Sequence, residues 1–482
     1  MAKFLLCVLV FALCFVSTQS RPIFIDSRKV YNVVDYGAVG DGLADDTKVR
    51  LMDFAYEVYD MVNYVALPLW MFGKLHANLQ CLLPSPTMHV PQGMTFWLQP
   101  LTFNGNCQSN NITVQIDEMD DAKRRALIKS QAVKKRESGE EGNKTVTPAK
   151  QGKGKGLMTV PDGDPSAWKC PDDKCLIWIE FSDFKGLLIR GSGTINGQGK
   201  KWWDLKCKEN KRGYIIGGSN NVHIDSLTFE DSPQIHVAFE RSEWVNATSL
   251  TIQAPKHSPN TDGIHIQHSK NIIIYNTSIG TDNNYIYVYI EGSDDCISIG
   301  DGSSHINTNN IDCGLGHGIS IVSLGKDGKH ETVGYVHVKD VSFTGTTNGA
   351  RIKTWQGGKG YARNITFEHI TSIGSARPII IDQYYCDHKV HKHCGNQTLA
   401  VRVSNIVYDQ IYGTSDKEIA LEFSYSKSVP CYSIIMRNIS LHSTEDGTQT
   451  SSICQNVRGL RNGEIIPDLP CLNEAENLPI MN

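Results

Sequence analysis

Four short motifs hold the side chains of this sequence that could carry out acid–base chemistry: Asn260-Thr261-Asp262-Gly263, Ser293-Asp294-Asp295-Cys296, Gly316-His317-Gly318 and Arg351-Ile352-Lys353. They supply three carboxylates, one imidazole and two cations among segments typical of short strands. Each motif alone would be weak evidence for a site, whereas all four in this order, one per structural repeat, are strong evidence. This set of groups suits acid–base cleavage of a sugar polymer that carries negative charge.

The carboxylates must meet a geometric condition for such chemistry. Cleavage with inversion needs one protonated carboxyl beside the leaving oxygen and one carboxylate that activates water, with the two groups about 6.5–9.5 Å apart. Asp294 and Asp295 cannot supply both from one strand face, so we expect a bend or bulge there. Asp262, from the preceding coil, would complete the set. Crowded carboxylates repel each other, so one pKa rises and that group can stay protonated as the acid.

The same motif residues also have structural interpretations. Asp294 and Asp295 could form a turn or a calcium site, and His317 could be a turn histidine between two glycines. Arg351 and Lys353 share a strand face because they are two residues apart, and that face could be a solvated edge. Arginine binds a carboxylate with two hydrogen bonds and lysine binds it as a point charge, which favours a uronic acid as their ligand.

Residues outside the motifs are less informative. Tyr385 is either a contact for a sugar or a core tyrosine. The other histidines between 223 and 337, for example His257, His265 and His268, are interpreted as structural residues. Asparagines at turns are interpreted in the same way.

The chain from about Leu176 onward consists of short β-branched runs separated by Gly, Asn, Ser and Asp. Equivalent apolar positions, here called anchors, recur at intervals of 23, 27, 34, 30, 29 and 41 residues; they are Val222, Val245, Ile272, Ile306, Val336, Ile365 and Ile406. Strands at this spacing, with no helical segments between them, predict a parallel β-helix. An antiparallel sandwich would show hairpin signals about every 8–12 residues, and these are scarce. Stacked coils would bring the four motifs to one groove.

Three stretches do not fit the strand pattern. Residues 50–84 are apolar but broken by prolines, residues 118–160 are rich in Lys and Gly and predict disorder, and residues 282–292 lengthen one coil. These abrupt breaks suggest the hypothesis that some are translated introns or gene-model errors. We divide the chain into a signal peptide at 1–20, an N-terminal cap with the first coils and the insert at 21–117, a basic insert at 118–163 and a β-helix body at 164–475.

Several features predict a secreted, extracellular glycoprotein. Lys3, an apolar run of 13 residues and the small-residue segment ending at Ser20 are typical of a signal peptide, and the run is too short to span a membrane. Removing it leaves 12 of the 14 cysteines, an even number that implies disulfides. We expect the pairs Cys296–Cys313 and Cys386–Cys394 and a loop closed by Cys170 and Cys175. Seven Asn-x-Ser/Thr sequons begin at Asn111, Asn143, Asn246, Asn276, Asn364, Asn396 and Asn438.

The charge distribution makes nucleic acid an unlikely partner. Residues 118–160 carry 11 Lys and Arg against 6 Asp and Glu. The net charge of this segment is therefore +5. The whole chain has a net charge of −4, so removing this segment and Lys3 of the signal peptide leaves a net charge of −10 for the rest. Because the body is acidic, an acidic substrate must be held by cations inside a cleft.

At these motifs the chain resembles the polygalacturonases, the pectin-cleaving glycoside hydrolases of the plant, secreted type. The resemblance extends to three further blocks and covers 31 to about 115 and 166 to about 471, with one interruption; the blocks are Asp35-Tyr36-Gly37-Ala38-Val39-Gly40-Asp41-Gly42, Trp178-Ile179-Glu180-Phe181 and Gly191-Ser192-Gly193-Thr194-Ile195-Asn196-Gly197-Gln198-Gly199. It implies an all-β, single-domain, right-handed parallel β-helix with an N-terminal cap. It also implies hydrolysis of α-1,4-linked galacturonan with inversion, by a monomer without metal or cofactor.

The resemblance also implies roles for individual residues. Asp294 would be the general acid, Asp262 and Asp295 would hold and activate water, and His317 would support the proton balance of the acid. The substrate would be bound by Arg351, Lys353, Tyr385 and Asn260.

Two departures from the family pattern keep other functions open. Ser293 replaces the glycine of the family's Gly-Asp-Asp, and the 282–292 stretch enters directly before it. The alternatives are a catalytically impaired pectin-binding wall protein, a rhamnogalacturonan hydrolase and a calcium-dependent pectate lyase. Endo or exo action and tolerance of methyl esters stay open.

Overall fold

The computed structural model describes residues 30–46, 86–105, 111–117, 157–159, 177–203, 214–255, 258–280, 294–386 and 397–474. The signal peptide, the 50–84 insert, the 282–292 stretch and most of the basic insert lie outside these residues. The domain boundaries given above therefore stay predictions. Within the described ranges no helix is long and apolar enough to cross a membrane.

The strands, numbered β1 to β31 in chain order, form two sheets in which the strand pairings are parallel. The larger sheet has 20 strands: β1 (Val30–Asn32), β2 (Asp41–Asp45), β3 (Thr87–Val90), β4 (Thr95–Trp97), β6 (Ile112–Ile116), β7 (Leu157–Thr159), β9 (Lys185–Arg190), β10 (Thr194–Asn196), β12 (Asn220–Asp225), β13 (Thr228–Glu230), β15 (Glu243–Thr248), β16 (Thr251–Gln253), β18 (Lys270–Gly280), β20 (Ser303–Gly314), β22 (His330–Thr344), β24 (Lys359–Ser375), β26 (Arg402–Ser415), β28 (Cys431–Ser443), β30 (Val457–Ile466) and β31 (Asn473–Glu474).

The smaller sheet has 11 strands: β5 (Leu101–Asn104), β8 (Ile179–Ser182), β11 (Tyr214–Gly217), β14 (Val237–Glu240), β17 (Ile264–Gln267), β19 (Ile297–Ile299), β21 (Ile319–Leu324), β23 (Ala350–Trp355), β25 (Ile379–Tyr385), β27 (Ile419–Ser424) and β29 (Ser451–Gln455). The described helices are one turn of α-helix, α1 (Lys200–Trp203), and two 3-10 turns, Val33–Tyr36 and Lys326–Gly328. Each strand pairs with the strand one coil away, so the chain winds as a right-handed parallel β-helix. The predicted fold is confirmed.

The seven anchors form one continuous column inside the solenoid. Val222 pairs in register with Val245, and the register continues through each later anchor to Ile406. All seven side chains are buried. The anchors recur because every coil must place an apolar side chain at this point of the core, and the number of residues between successive anchors varies from coil to coil.

The residue before each anchor turns the chain at a corner of the coil. Seven residues precede the anchors, and an eighth, Ser433, precedes Ile434, which pairs with Ile406 in the next coil. These eight corner residues have φ of 55 to 58°, a left-handed conformation; they are Asn221, Trp244, Asn271, His305, Tyr335, Asn364, Asn405 and Ser433. Asparagine occupies four of the eight positions, in agreement with its tolerance of this conformation. Two of these asparagines bond directly, since Asn405 Nδ2 donates to Asn364 Oδ1 at 3.0 Å.

Stacking of the coils continues across the basic insert. β6, which precedes it, pairs directly with β9, which follows it, and Ile112 lies opposite Leu187. β7 falls inside the predicted insert and pairs with β4 and β10. The connection from β6 to β7 spans 40 residues, 117–156, whereas the equivalent connection from β9 to β10 spans only 191–193.

The disulfides agree in part with expectation. Cys296 and Cys313 are bonded, with 6.0 Å between their Cα atoms, and this prediction is confirmed. Cys386 is disulfide-bonded, but Cys394, Cys170 and Cys175 lie outside the described residues, so their pairings stay predictions. The bond Cys454–Cys471 was not predicted. Cys431 is a buried free thiol, which cysteine number alone could not reveal.

Candidate active site

The three predicted aspartates and the predicted histidine lie in the turns that lead into neighbouring strands of the 11-stranded sheet. Asp262 precedes β17, Asp294 and Asp295 precede β19, and His317 precedes β21. Backbone bonds join these turns: the Gly263 N–H donates to the Asp295 carbonyl at 3.0 Å and the His317 N–H to the Asp294 carbonyl at 3.1 Å. Adjacent Asp294 and Asp295 can both reach the cluster because they lie in irregular backbone ahead of the strand, and the bend expected at this motif falls at Cys296.

Glycines allow the turns to approach each other this closely. A Cβ on Gly263 would lie 2.6 Å from the Cys296 carbonyl oxygen, and one on Gly318 would lie 2.2 Å from the Gly349 carbonyl oxygen. Gly318 also has φ of +80°. These two positions explain the glycines of the Asn-Thr-Asp-Gly and Gly-His-Gly motifs.

Asp295 is a buried carboxylate held by a cation and a hydroxyl. Only 2% of the residue is exposed. Ser320 Oγ donates to Asp295 Oδ1 at 2.5 Å, and Lys353 Nζ donates to Oδ2 at 3.2 Å. A guanidinium nitrogen of Arg351 lies 3.9 Å from Oδ1. The pairing with Lys353 compensates the cost of burying this carboxylate.

Asp294 has a lowered pKa. Its Oδ1 accepts the Asp295 N–H at 2.9 Å and lies 3.3 Å from His317 Nδ1. Burial raises the pKa of Asp294, but the hydrogen bond and charge of His317, followed by the charge of Lys353, together lower it well below its usual range.

Asp262 has the opposite shift. Ser298 Oγ donates to Asp262 Oδ2 at 2.5 Å, and His265 Nδ1 lies 3.5 Å from the same oxygen. Burial, and then the negative charge of Asp294, raise the pKa of Asp262. Neighbouring carboxylates with opposite pKa shifts are typical of acid–base sites. In the unliganded protein the raised pKa belongs to Asp262, whereas the resemblance assigns the acid role to Asp294.

The backbone of Asp262 is fixed from the preceding coil by a histidine. His236 is buried, and both its backbone N–H, at 2.9 Å, and its Nδ1, at 3.1 Å, contact the Asp262 carbonyl oxygen. Burial lowers the pKa of His236 to about 4. This neutral histidine therefore holds the turn that carries Asp262.

The cations share one face of β23, as their spacing predicted. Lys353 Nζ lies 5.4 Å and the Arg351 guanidinium 5.9 Å from the centre of the Tyr385 ring. Tyr385 packs edge-on against Trp355 at 5.2 Å. Arg351 Nε is buried and has no hydrogen-bond partner among the described residues, which leaves a donor available at this end of the cluster. Asn260 lies in the turn before Asp262, half-buried, with φ of 55°.

A calcium site was one alternative for Asp294 and Asp295. One atom from each of Asp294, Asp295 and His317 lies within 4.8 Å of the others, a spacing that a cation could use. However, the Lys353 ammonium already neutralises Asp295 from within 3.2 Å. The arrangement is therefore better suited to acid–base chemistry than to a calcium ion, which prefers six to eight oxygen ligands.

The profile described as "Glycosyl hydrolases family 28" matches residues 85–464, which include every cluster residue. The chain belongs to glycosyl hydrolases family 28. A polygalacturonase from Persea americana is 43% identical over 434 residues, covering 88% of this chain and 76% of that protein. Polygalacturonase-2 from Solanum lycopersicum is 33% identical over 458 residues, covering 93% of this chain and 82% of that protein.

Solved structures agree on the fold. An endo-xylogalacturonan hydrolase from Aspergillus tubingensis superposes with a TM-score of 0.61 at 20% identity, covering 89% of this chain and 96% of that one. A polygalacturonase from Erwinia carotovora gives a TM-score of 0.53 at 22% identity, covering 79% and 89%. At these identities the likeness supports the β-helix alone.

Sequence reasoning missed the serines and one histidine that contact the carboxylates in this family 28 protein. Ser298 and Ser320 are the centres of two Ile-Ser-Ile tripeptides that pair in register. In each tripeptide a polar residue stands between two core isoleucines, and the pattern repeats on successive coils. This repetition was a signal that polar side chains stack in a column on the sheet face opposite the core. His265 lies in the same column, opposite Ser298, so its purely structural interpretation was incomplete.

Proposed function

We propose that this protein hydrolyses α-1,4-galacturonosidic bonds of polygalacturonan, the acidic backbone of pectin, with inversion, and so modifies cell walls. One observation carries the proposal: three carboxylates from adjacent coils, two with opposite pKa shifts, lie beside two cations on one sheet face. Membership of family 28 supports the reaction class. The polygalacturonase names of its relatives support the substrate.

The reaction moves two protons in opposite directions. Asp294 donates a proton to the leaving glycosidic oxygen as its bond to the anomeric carbon breaks. Water attacks that carbon from the opposite face, and its proton passes to Asp262 or Asp295. Since the pKa of Asp294 is low without substrate, we infer that the negative charge of the incoming uronate raises it by like-charge repulsion. His317 would exchange a proton with Asp294, because His317 Nδ1 lies 3.3 Å from Asp294 Oδ1.

The substrate carboxylate would be bound at the cationic end of the cluster. The buried Arg351 Nε has no described partner, so Arg351 is the stronger candidate for the contact. Lys353 already pairs with Asp295 at 3.2 Å and would be shared between the protein and substrate carboxylates. Tyr385, beside both cations, and Asn260, in the turn before Asp262, would contact the sugar rings.

The impaired-enzyme alternative is less well supported. β17 precedes the 282–292 stretch in the sequence and β19 and β21 follow it, and these three strands keep an unbroken register. The turns that carry Asp262, Asp294 and His317 are joined by short backbone bonds. A displaced site would be inactive, since a misplacement of about 1 Å can cost on the order of 100-fold in rate.

We further propose that the mature protein is a monomer secreted to the cell wall and glycosylated at some of its sequons. Supporting features are the apolar start of the chain and the sequons. Purification from culture medium, sizing in solution and glycosidase treatment test this part.

The deciding experiment is an assay of the secreted recombinant protein on polygalacturonate and on rhamnogalacturonan. Hydrolysis releases reducing ends without calcium and without an unsaturated product that absorbs in the ultraviolet, and proton NMR of the first product shows an inverted anomer. Viscosity measured beside reducing ends separates endo from exo action. Ultraviolet absorbance that depends on calcium would indicate a lyase, and release from rhamnogalacturonan alone would indicate the related hydrolase. Binding without release would indicate an impaired wall protein.

A further inference from the structure

The strongest feature that the mechanism above does not use is a chain of three hydrogen-bonded groups ending at Asp262. Ser298 Oγ lies 2.5 Å from Asp262 Oδ2 and 2.6 Å from His265 Nδ1. His265 Nε2 lies 3.1 Å from Gln267 Oε1. Ser298 is almost fully buried, whereas the His265 side chain is 22% exposed. The chain therefore leads from a buried carboxylate to an imidazole at the surface.

With Gln267 Oε1 facing His265 Nε2, the described donors and acceptors fit two protonation states. Gln267 Oε1 accepts, so His265 Nε2 carries a hydrogen. If His265 is neutral, its Nδ1 must accept from Ser298, and the Ser298 oxygen must then accept from a protonated Asp262. If Asp262 is ionised, Ser298 donates to it and Nδ1 must donate to Ser298, which makes His265 an imidazolium. Two proton transfers, one along each hydrogen bond, interconvert these states, and the bond to Gln267 is unchanged.

We propose that Ser298 and His265 form a proton relay that transfers the proton between Asp262 and the groove. This inference rests on the proposed function, in which Asp262 accepts a proton from water at each turnover. In the relay, Asp262 gives its proton to Ser298 Oγ as Ser298 gives its own to His265 Nδ1. The imidazolium then loses its Nε2 proton to water, and proton exchange with water returns the neutral ring to the form that carries hydrogen on Nε2. Only O–H and N–H bonds break and form in the relay, and the net result is that Asp262 is again an ionised carboxylate.

The charged groups around Asp262 act in both directions on its proton. Asp262 faces Asp294 and Asp295, whose negative charges favour its protonation, and His265, whose charge favours its ionisation. On the sheet, His265 lies between Ala238 of β14 and Ser298 of β19. His265 Nδ1 lies 3.5 Å from Asp262 Oδ2, so an imidazolium there can pair with this carboxylate.

Two variants and one control test the relay by kinetics. Ser298→Ala removes the middle of the chain, and His265→Ala removes its exposed end. Ser303→Ala is the control because Ser303 is an equally buried serine whose hydroxyl bonds the Ile266 carbonyl rather than the site. We expect kcat on polygalacturonate to fall about tenfold or more in both relay variants, with KM little changed. The acidic limb of the kcat profile should move to higher pH in Ser298→Ala, because Asp262 loses the hydroxyl that stabilises its ionised form.

Rescue distinguishes a relay from a structural role. Added imidazole should restore part of the rate of His265→Ala, since it can occupy the vacated groove, and should not restore Ser298→Ala. The control should keep the profile and rate of the parent. A Ser298→Ala variant with the parent's rate and profile, or no rescue of His265→Ala by imidazole, would overturn the relay.

NMR of histidine labelled with nitrogen-15 tests the relay without activity. His265 signals are assigned by their loss in His265→Ala. The relay predicts that His265 titrates in two steps in the parent, one of them shared with Asp262, and that the shared step is smaller in Ser298→Ala, where only the direct contact at 3.5 Å remains. One step in both proteins would refute the relay. A parent protein that titrates in two steps but does not cleave polygalacturonate would refute the proposed function alone.

Discussion

At the scale of single residues, the opposite pKa shifts of Asp262 and Asp294 follow from their different partners. Asp262 accepts a hydrogen bond from one hydroxyl and faces other carboxylates. Burial is therefore the largest influence on the pKa of Asp262, which rises. Asp294 accepts a backbone N–H and a histidine contact, which outweigh burial. The proton affinity is therefore higher on the attacking side than at Asp294, and substrate binding must reverse this order.

The acid assignment can be tested with a leaving group that needs no proton. Asp294→Asn should reduce reducing-end release from polygalacturonate by about 10²–10⁴-fold, the usual contribution of a general acid. An aryl galacturonide with an acidic phenol should be cleaved by the variant at a near-parent rate. Asp312→Asn, an exposed aspartate on β20, serves as the control. Near-normal turnover by Asp294→Asn would remove its acid role, and aryl rescue of Asp262→Asn instead would transfer that role to Asp262.

The two cations should respond differently to substitution. Arg351→Gln should raise KM for unesterified polygalacturonate about tenfold, because a charged hydrogen bond contributes on the order of 1.5–3 kcal/mol. Lys353→Met should lower kcat and stability as well, since it leaves Asp295 buried without its ammonium. Kinetics on substrates of increasing methyl esterification, with thermal melting beside them, measure both effects. If both variants keep the parent's KM for unesterified substrate, neither cation binds the uronate.

At the scale of elements, the sequence predicts the columns of the solenoid well and its side-chain contacts poorly. The anchors could be found because each coil has an apolar residue at the same position. All seven pair in register in the structure. The Cys296–Cys313 bond followed from the same coil spacing. The contacts of Ser298 and His236 could not be derived, because their partners come from other coils and depend on side-chain direction and burial. The pKa of Asp262 could not be derived for the same reason.

The corner column offers a test of local backbone strain. Trp244 adopts φ of 56° and is 59% exposed, in a conformation that asparagine tolerates better. Trp244→Asn should stabilise the protein by about 1 kcal/mol, within the 1–2 kcal/mol cost of this conformation. Trp244→Ala, which also removes the ring but gains no such tolerance, is the control. Melting temperatures compare the two, and equal stability in both variants would show that the corner is not strained.

At the scale of the whole molecule, burial of His236 should make stability depend on pH. Its pKa is about 4 when folded and 6.5 as the reference value. The unfolded chain therefore binds more protons between these values, so the contribution is complete above about pH 6.5 and is lost as pH falls to about 4. The full change is about 3 kcal/mol, at 1.36 kcal/mol per pKa unit. Urea midpoints across this range, compared with His236→Gln, measure it; identical pH slopes would contradict it.

The solenoid should fold without most of the basic insert, because the coils on either side are already stacked. β6 pairs with β9 along four residues, and β9 reaches β10 through only Gly191-Ser192-Gly193. A variant in which this tripeptide replaces residues 117–156 should therefore keep the parent's melting temperature and its rate on polygalacturonate. A matched variant that replaces 157–159 as well should be less stable, since it removes β7 from between β4 and β10. A shortened chain that no longer folds would show that the insert contributes to the first coils, and full-length transcripts would show whether cells make it.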